Sequence, residues 1–185
     1  MVRGKLTFIS GGVRSGKSAY AEQLLVTQNK GRLIYIASGS ATDSEMSDRI
    51  QRHRHDRSEF NWTTIEQPMN LEEVIPFIKQ GDFVLWDCVT TWLAHELYND
   101  EKTAMTAIEK TESRLYETIE ELLTIATHLV IVSNELFDEL PSHYEKVRLY
   151  SQILGRIHTK LVEKSNTAIE MDYGIATFWK QGDAQ

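Results

Sequence analysis

The stretch ISGGVRSGKSAYAEQLL, residues 9–25, constrains this chain more than any other. Its spacing is Gly11, four residues, then Gly16-Lys17-Ser18, which fits G-x-x-x-x-G-K-[ST]. A loop of this kind holds phosphate, and it needs a strand before it and a helix after it. Both are written into the flanks. LTFIS (6–10) reads as a short apolar strand, and SAYAEQLLV reads as a helix whose N-terminus turns its partial positive charge toward an anion. The loop Gly11, Gly12, Val13, Arg14, Ser15 and Gly16 is expected to wrap its backbone N–H groups around the phosphates of ATP or GTP. Lys17 then reaches the β- and γ-phosphates, and the Ser18 hydroxyl ligates Mg²⁺.

Three further segments read as buried strands: RLIYIAS (32–38), DFVLWD (82–87) and HLVIVS (128–133). Each is a continuous apolar run rather than an alternating one, the mark of parallel strands covered on both faces. Helical patterns lie between them at 18–28, 44–55, 71–79, 89–98, 104–126 and 145–164. In the longest, Met105, Ile108, Leu115, Ile119 and Leu122 form one apolar stripe. TAIEMD and IATFW suit two last strands joined at Tyr173-Gly174. With no repeat, no linker and 185 residues, the reading is one domain over 1–185: an α/β, mostly parallel P-loop NTPase sheet of the RecA-like kind, helices on both faces.

Ligands of such sheets sit at the carboxyl ends of the strands. Asp87 closes FVLWD there. It is read as a Mg²⁺ carboxylate, as the N-cap of the helix starting near Val89, or as both. Ser133-Asn134-Glu135 ends another strand with no distinctive pattern.

A net charge of −7 argues against a general nucleic-acid binder, and no apolar run is long enough to span a bilayer. The N-terminus has no signal-peptide pattern, and the lone Cys88 has no internal disulfide partner. A reducing cytoplasm is the expected compartment.

Against that acidic background, residues 42–68 hold the densest positive cluster: Arg49, Arg52, His53, Arg54, His55 and Arg57. One reading is a solvated basic helix end favoured by the helix dipole. A zinc site at His53 and His55 is disfavoured, because residues two apart do not share a helix face and no thiol pair accompanies them. A third reading is chemical. Cations hold a nearby imidazole neutral, so it can attack phosphorus while the arginines stabilise the transferred group.

Four stretches together resemble the bifunctional cobinamide kinase/cobinamide-phosphate guanylyltransferases of adenosylcobalamin biosynthesis: ISGGVRSGKSAYAE, YIASGSATDSEMSDRIQRHRHDR, WTTIEQP and LWDCVTTWL. They lie in order in the first half of the chain. The resemblance implies phosphoryl transfer from ATP or GTP to the aminopropanol hydroxyl of adenosylcobinamide. It also implies transfer of GMP from GTP to that phosphate through a GMP-histidine intermediate on His53. By the same matching Ala37, Ser38, Gly39, Arg54, His55, Asp56, Arg57, Glu66 and Asp87 fall at nucleotide-contacting positions, and a homotrimer is implied. The second half departs from the family pattern: Leu136-Phe137-Asp138-Glu139 stands where a glycine-containing Val-Gly-x-Gly is usual.

Overall fold

The computed structural model describes residues 3–28, 30–39, 60–98, 105–136 and 143–182. Strand β1 (Lys5–Gly11) leads through the glycine loop into helix α1 (Lys17–Gln28), followed by β2 (Leu33–Ala37). After residues 40–59 come β3 (Thr63–Glu66), a 3-10 segment (Leu71–Phe77), β4 (Phe83–Asp87) and α2 (Val89–Tyr98). The chain continues with α3 (Met105–Ile125), β5 (His128–Asn134), α4 (Glu145–Lys164), β6 (Thr167–Asp172) and β7 (Ile175–Lys180).

The seven strands form one sheet in the order β3-β2-β4-β5-β1-β6-β7. All pairs are parallel except β6 with β7, the hairpin expected at Tyr173-Gly174. Two buried clusters cover the two faces. Leu6, Phe8, Ile34, Trp86, Leu129 and Ile131 meet α2, α3 and α4, whereas Ile9, Tyr35, Leu85, Val130, Val132 and Met171 meet α1. This is the α/β, mostly parallel P-loop architecture. It also explains why the central strands are mostly apolar on both pleat faces: both faces are dry, and the buried polar residues Thr7, His128 and Ser133 are the exceptions. On α3 the stripe holds at Ile108, Leu115, Ile119 and Leu122, all buried.

The helix expected over 71–79 is a 3-10 segment ending at Phe77. Pro76 lies inside it, and proline removes a backbone donor and crowds the preceding turn, which prevents an α-helix from running on. The helix expected over 44–55 lies outside the described residues. No described helix is long and apolar enough to cross a membrane.

Candidate functional site

Parallel register fixes which residues arrive at the same height. Glu66 of β3 pairs with Ala37 of β2, Ala37 with Asp87 of β4, Asp87 with Val132 of β5, and Val132 with Ile9 of β1. Two residues beyond, Gly11 lies between Asn134 and Met171. The glycine loop, the 37–39 segment, Glu66 and Asp87 therefore share one carboxyl edge of the sheet. Glu66 stands four strand spacings from β1, about 19 Å.

The loop is built by close backbone approach. A side chain at Gly11 would put its Cβ 2.3 Å from the Met171 carbonyl oxygen, so only glycine fits. Gly16 has φ +90°, a left-handed conformation that glycine alone adopts without strain. Lys17 is buried, and its Nζ donates to the Gly12 carbonyl at 3.0 Å. The Ser15 N–H donates to the same oxygen at 3.2 Å, and the Ser15 carbonyl accepts the Gly174 N–H at 3.0 Å. The β6–β7 turn thus braces the loop. Val13 and Arg14 crest the loop in solvent, Gly12 is half-buried, and Ser18 is half-buried in the first turn of α1. The Glu135 N–H donates to the Gly11 carbonyl at 2.8 Å and ties β5 to the end of β1.

Asp87 is half-buried and faces the α1 side, as alternation along β4 requires. Its carboxylate accepts the Tyr35 hydroxyl at 2.8 Å, across the β2–β4 pair. The peptide that follows, Asp87–Cys88, is cis. The N-cap reading of Asp87 is corrected here. The first carbonyl of α2 belongs to Cys88, which accepts the Trp92 N–H at 3.1 Å. Asp87 lies one residue too early and points to β2.

Ser38 is fully buried. Its hydroxyl accepts the Trp86 indole N–H at 2.8 Å, and its N–H donates to the Asp87 carbonyl at 2.9 Å. A buried indole needs such a partner, so the Ser38 side chain is committed to the core. Gly39 has open space where a Cβ would stand. Glu66 is exposed at the end of β3. His53, Arg54, His55, Asp56 and Arg57 lie outside the described residues.

Several contacts at this edge have no signal in the sequence. Tyr35 holds Asp87. The Asn134 Nδ2 donates to Thr90 Oγ1 at 3.0 Å, and Cys88 Sγ lies 3.0 Å from Thr90 Oγ1 and 3.2 Å from Thr91 Oγ1. Burial pushes the Cys88 thiol pKa up, so it stays protonated in this cluster. The strand-end rule points at Asn134, but only the strand order tells how near it lies to the loop. On the opposite sheet face, Phe8, Ser10, Glu135, His158 and Lys180 line a groove of about 640 Å³ against α4. His158 sits there with Nε2 2.7 Å from Ser133 Oγ and its ring edge-on to Phe8, and Lys180 donates to the Val162 and Glu163 carbonyls.

The chain matches the family model for cobinamide kinase / cobinamide phosphate guanyltransferase over residues 7–178. It is 30% identical over 169 residues to the bifunctional adenosylcobalamin biosynthesis protein CobU of Escherichia coli, covering 87% of this chain and 92% of that one. It is 32% identical over 157 residues to the bifunctional adenosylcobalamin biosynthesis protein CobP of Pseudomonas aeruginosa, covering 84% and 86%. Among solved structures, the flagellar accessory protein FlaH of Methanocaldococcus jannaschii superposes with a TM-score of 0.51 at 14% identity, over 99% of this chain and 83% of that one. The last likeness concerns the fold alone.

Proposed function

The chain belongs to the cobinamide kinase / cobinamide phosphate guanyltransferase family, and we propose that both family reactions run from one nucleotide site along the carboxyl edge of its sheet. The activities are those of a cobinamide kinase and cobinamide-phosphate guanylyltransferase of adenosylcobalamin biosynthesis. The observation that carries the one-site reading is the register that lines up the glycine loop, Asp87, Ala37 and Glu66. A nucleoside triphosphate laid along that edge has its phosphates on residues 11–18 and its base toward β3. Ala37 and Gly39 border its path, and Glu66 reads the base or ribose.

In the first step the aminopropanol hydroxyl of adenosylcobinamide attacks the γ-phosphorus of ATP or GTP, and the nucleoside diphosphate leaves. Lys17 places a point charge at the β/γ-phosphates. In the second, a neutral His53 imidazole nitrogen attacks the α-phosphorus of GTP, and pyrophosphate leaves with the bonding electron pair. A phosphate oxygen of cobinamide phosphate then displaces the imidazole. A covalent intermediate divides one hard displacement into two easier ones. Arg54 and Arg57 stabilise the charge of the transferred group, while His55 and Asp56 complete the nucleotide contacts of that segment.

The Ser18 hydroxyl and the Asp87 carboxylate are hard oxygen donors at one edge, a set that suits Mg²⁺ shared with substrate phosphates. Bound there, Mg²⁺ supplies charge neutralisation of the polyphosphate. Tyr35 holds Asp87 in place for that role. The enzyme is further proposed to be a single-domain cytoplasmic protein that assembles as a trimer. The exposed Ile175, Phe178 and Trp179 on the edge strand β7 support self-association.

Mass spectrometry after incubation with GTP and Mg²⁺ tests the reading. The expected product is one GMP on His53, acid-labile and base-stable as a phosphoramidate is, and absent from His53→Ala. GMP on His55, or no acid-labile adduct when cobinamide phosphate is absent, refutes it.

A further inference from the structure

Strand β5 lies between β1, which carries the glycine loop, and β4, which carries Asp87. Its last residue stands one strand spacing, about 5 Å, from the end of β1, and two residues beyond Val132, which pairs with Asp87. That residue is Asn134, in register with Gly11. Alternation from Val130 and Val132 puts it on the α1 side, the side of Asp87 and Lys17.

The carboxamide is held in one orientation. Its Nδ2 donates to Thr90 Oγ1 at 3.0 Å, and the same hydroxyl lies 3.0 Å from Cys88 Sγ. The thiol in turn lies 3.2 Å from Thr91 Oγ1. Thr90 is buried, and its carbonyl accepts the Tyr150 hydroxyl at 2.8 Å, which pins the start of α2. Asn134 is half-buried and makes no other side-chain hydrogen bond among the described residues. A carboxamide carries two N–H donors, and Thr90 takes one.

We propose that the second Asn134 N–H donates to the γ-phosphoryl group during its transfer, making Asn134 a catalytic residue of the kinase step and Thr90 its positioning residue. In that step the acceptor alcohol oxygen bonds to the γ-phosphorus. The bond from the γ-phosphorus to the bridging oxygen breaks, the diphosphate leaves with the electron pair, and the alcohol proton passes to solvent. Charge shifts onto the equatorial and leaving oxygens. A neutral, pre-aimed donor stabilises that shift without the desolvation cost of a second ammonium. Guanylyl transfer reacts at the α-phosphorus and draws less on this contact. The proposal rests on the one-site reading of the preceding section.

The test compares wild type, Asn134→Ala, Asn134→Asp, Thr90→Val and Thr90→Ser. The readouts are kcat and nucleotide KM for cobinamide phosphorylation, the rate of His53 guanylylation, and thermal stability. Asn134→Ala is expected to lower kcat for phosphoryl transfer by about 10²–10³-fold, the effect of removing one transition-state donor. Nucleotide KM should move less than about threefold, and guanylylation should fall at least about tenfold less than phosphorylation. Asn134→Asp keeps shape and loses the N–H, so its loss should match. Thr90→Val should lower kcat about tenfold, and Thr90→Ser, which restores the hydroxyl, should recover it. A folded Asn134→Ala or Asn134→Asp with wild-type kcat overturns the proposal. So do equal losses in both reactions, or a Thr90→Ser as impaired as Thr90→Val. If the wild type shows no cobinamide-dependent turnover, the functional reading fails instead. The Asn134 series is then read on basal γ-phosphate release from GTP, where unchanged rates refute the donor role.

Discussion

Replacing His158 with glutamine should change how the protein's stability depends on pH. His158 is 8% exposed, wedged between Ser133 and Phe8, and burial pushes its pKa down to about 4. His128, 2% exposed and bonded to Thr7 and Gln28, is also pushed down to about 4, first by burial and then by Lys5. In the unfolded chain both titrate near 6.5. Between these values the unfolded state binds the proton and the folded state does not. Their contribution is thus complete above about pH 6.5 and is lost as pH falls toward about 4. At pH 5 the loss is about 2 kcal/mol for each histidine, a large share of a domain stability of about 5–15 kcal/mol.

The assay is urea unfolding of wild type and His158→Gln at several pH values from 7.5 to 5. Gln retains a hydrogen-bonding group for Ser133 but does not titrate. It loses the ring contact with Phe8, which lowers stability equally at every pH. Glu135, Glu163 and Lys180 line the same groove in both proteins, so their effects cancel in the difference. The variant should lose about 2 kcal/mol less than wild type between pH 7.5 and 5. Parallel stability–pH curves would show that His158 is not held neutral. The result also bounds the guanylylation assay: labelling that declines below pH 6 reports His53 protonation only where unfolding has been measured separately.

Two further outcomes are expected at the nucleotide edge. Lys17→Ala should abolish phosphoryl transfer and weaken triphosphate binding measured by calorimetry, and normal use of ATP by this variant would refute the loop's role. Glu66→Ala should raise the KM for GTP with an unchanged melting temperature, because Glu66 is exposed at its strand end; unaltered GTP kinetics would return it to the protein surface.

The glycine loop was legible because its chemistry needs backbone conformations that glycine alone supplies, and these leave fixed spacings in the sequence. Strands β1, β2, β4 and β5 were legible because two dry faces leave few polar positions. The hairpin followed from Tyr173-Gly174, both with left-handed φ. Strand order was not legible. Nothing local to HLVIVS says that it inserts between LTFIS and FVLWD, and so the sequence marks Asn134 only as one residue of an unspecific strand end. The partners of Ser38 and Asp87 were hidden for the same reason. Trp86 and Tyr35 reach them across strand pairs that lie about 50 residues apart in sequence. The segment 71–79 has a helical apolar pattern, and a single proline tightened it into a 3-10 turn.

The placement of β1 has a consequence for synthesis. The strand that leads into the phosphate loop emerges from the ribosome before either of its neighbours. Its two neighbours are β5, ending at Asn134, and β6, ending at Asp172. At about 5–20 residues per second, residues 5–11 wait roughly ten to thirty seconds for both flanks to exist. Until then this mostly apolar strand keeps at least one hydrogen-bonding edge open, which invites pairing with the wrong partner. Chains released early, lacking residues 167–180, should lose phosphate binding although every residue of the loop is present. The brace from Gly174 to Ser15 and the carbonyl that closes on Gly11 both come from that last stretch.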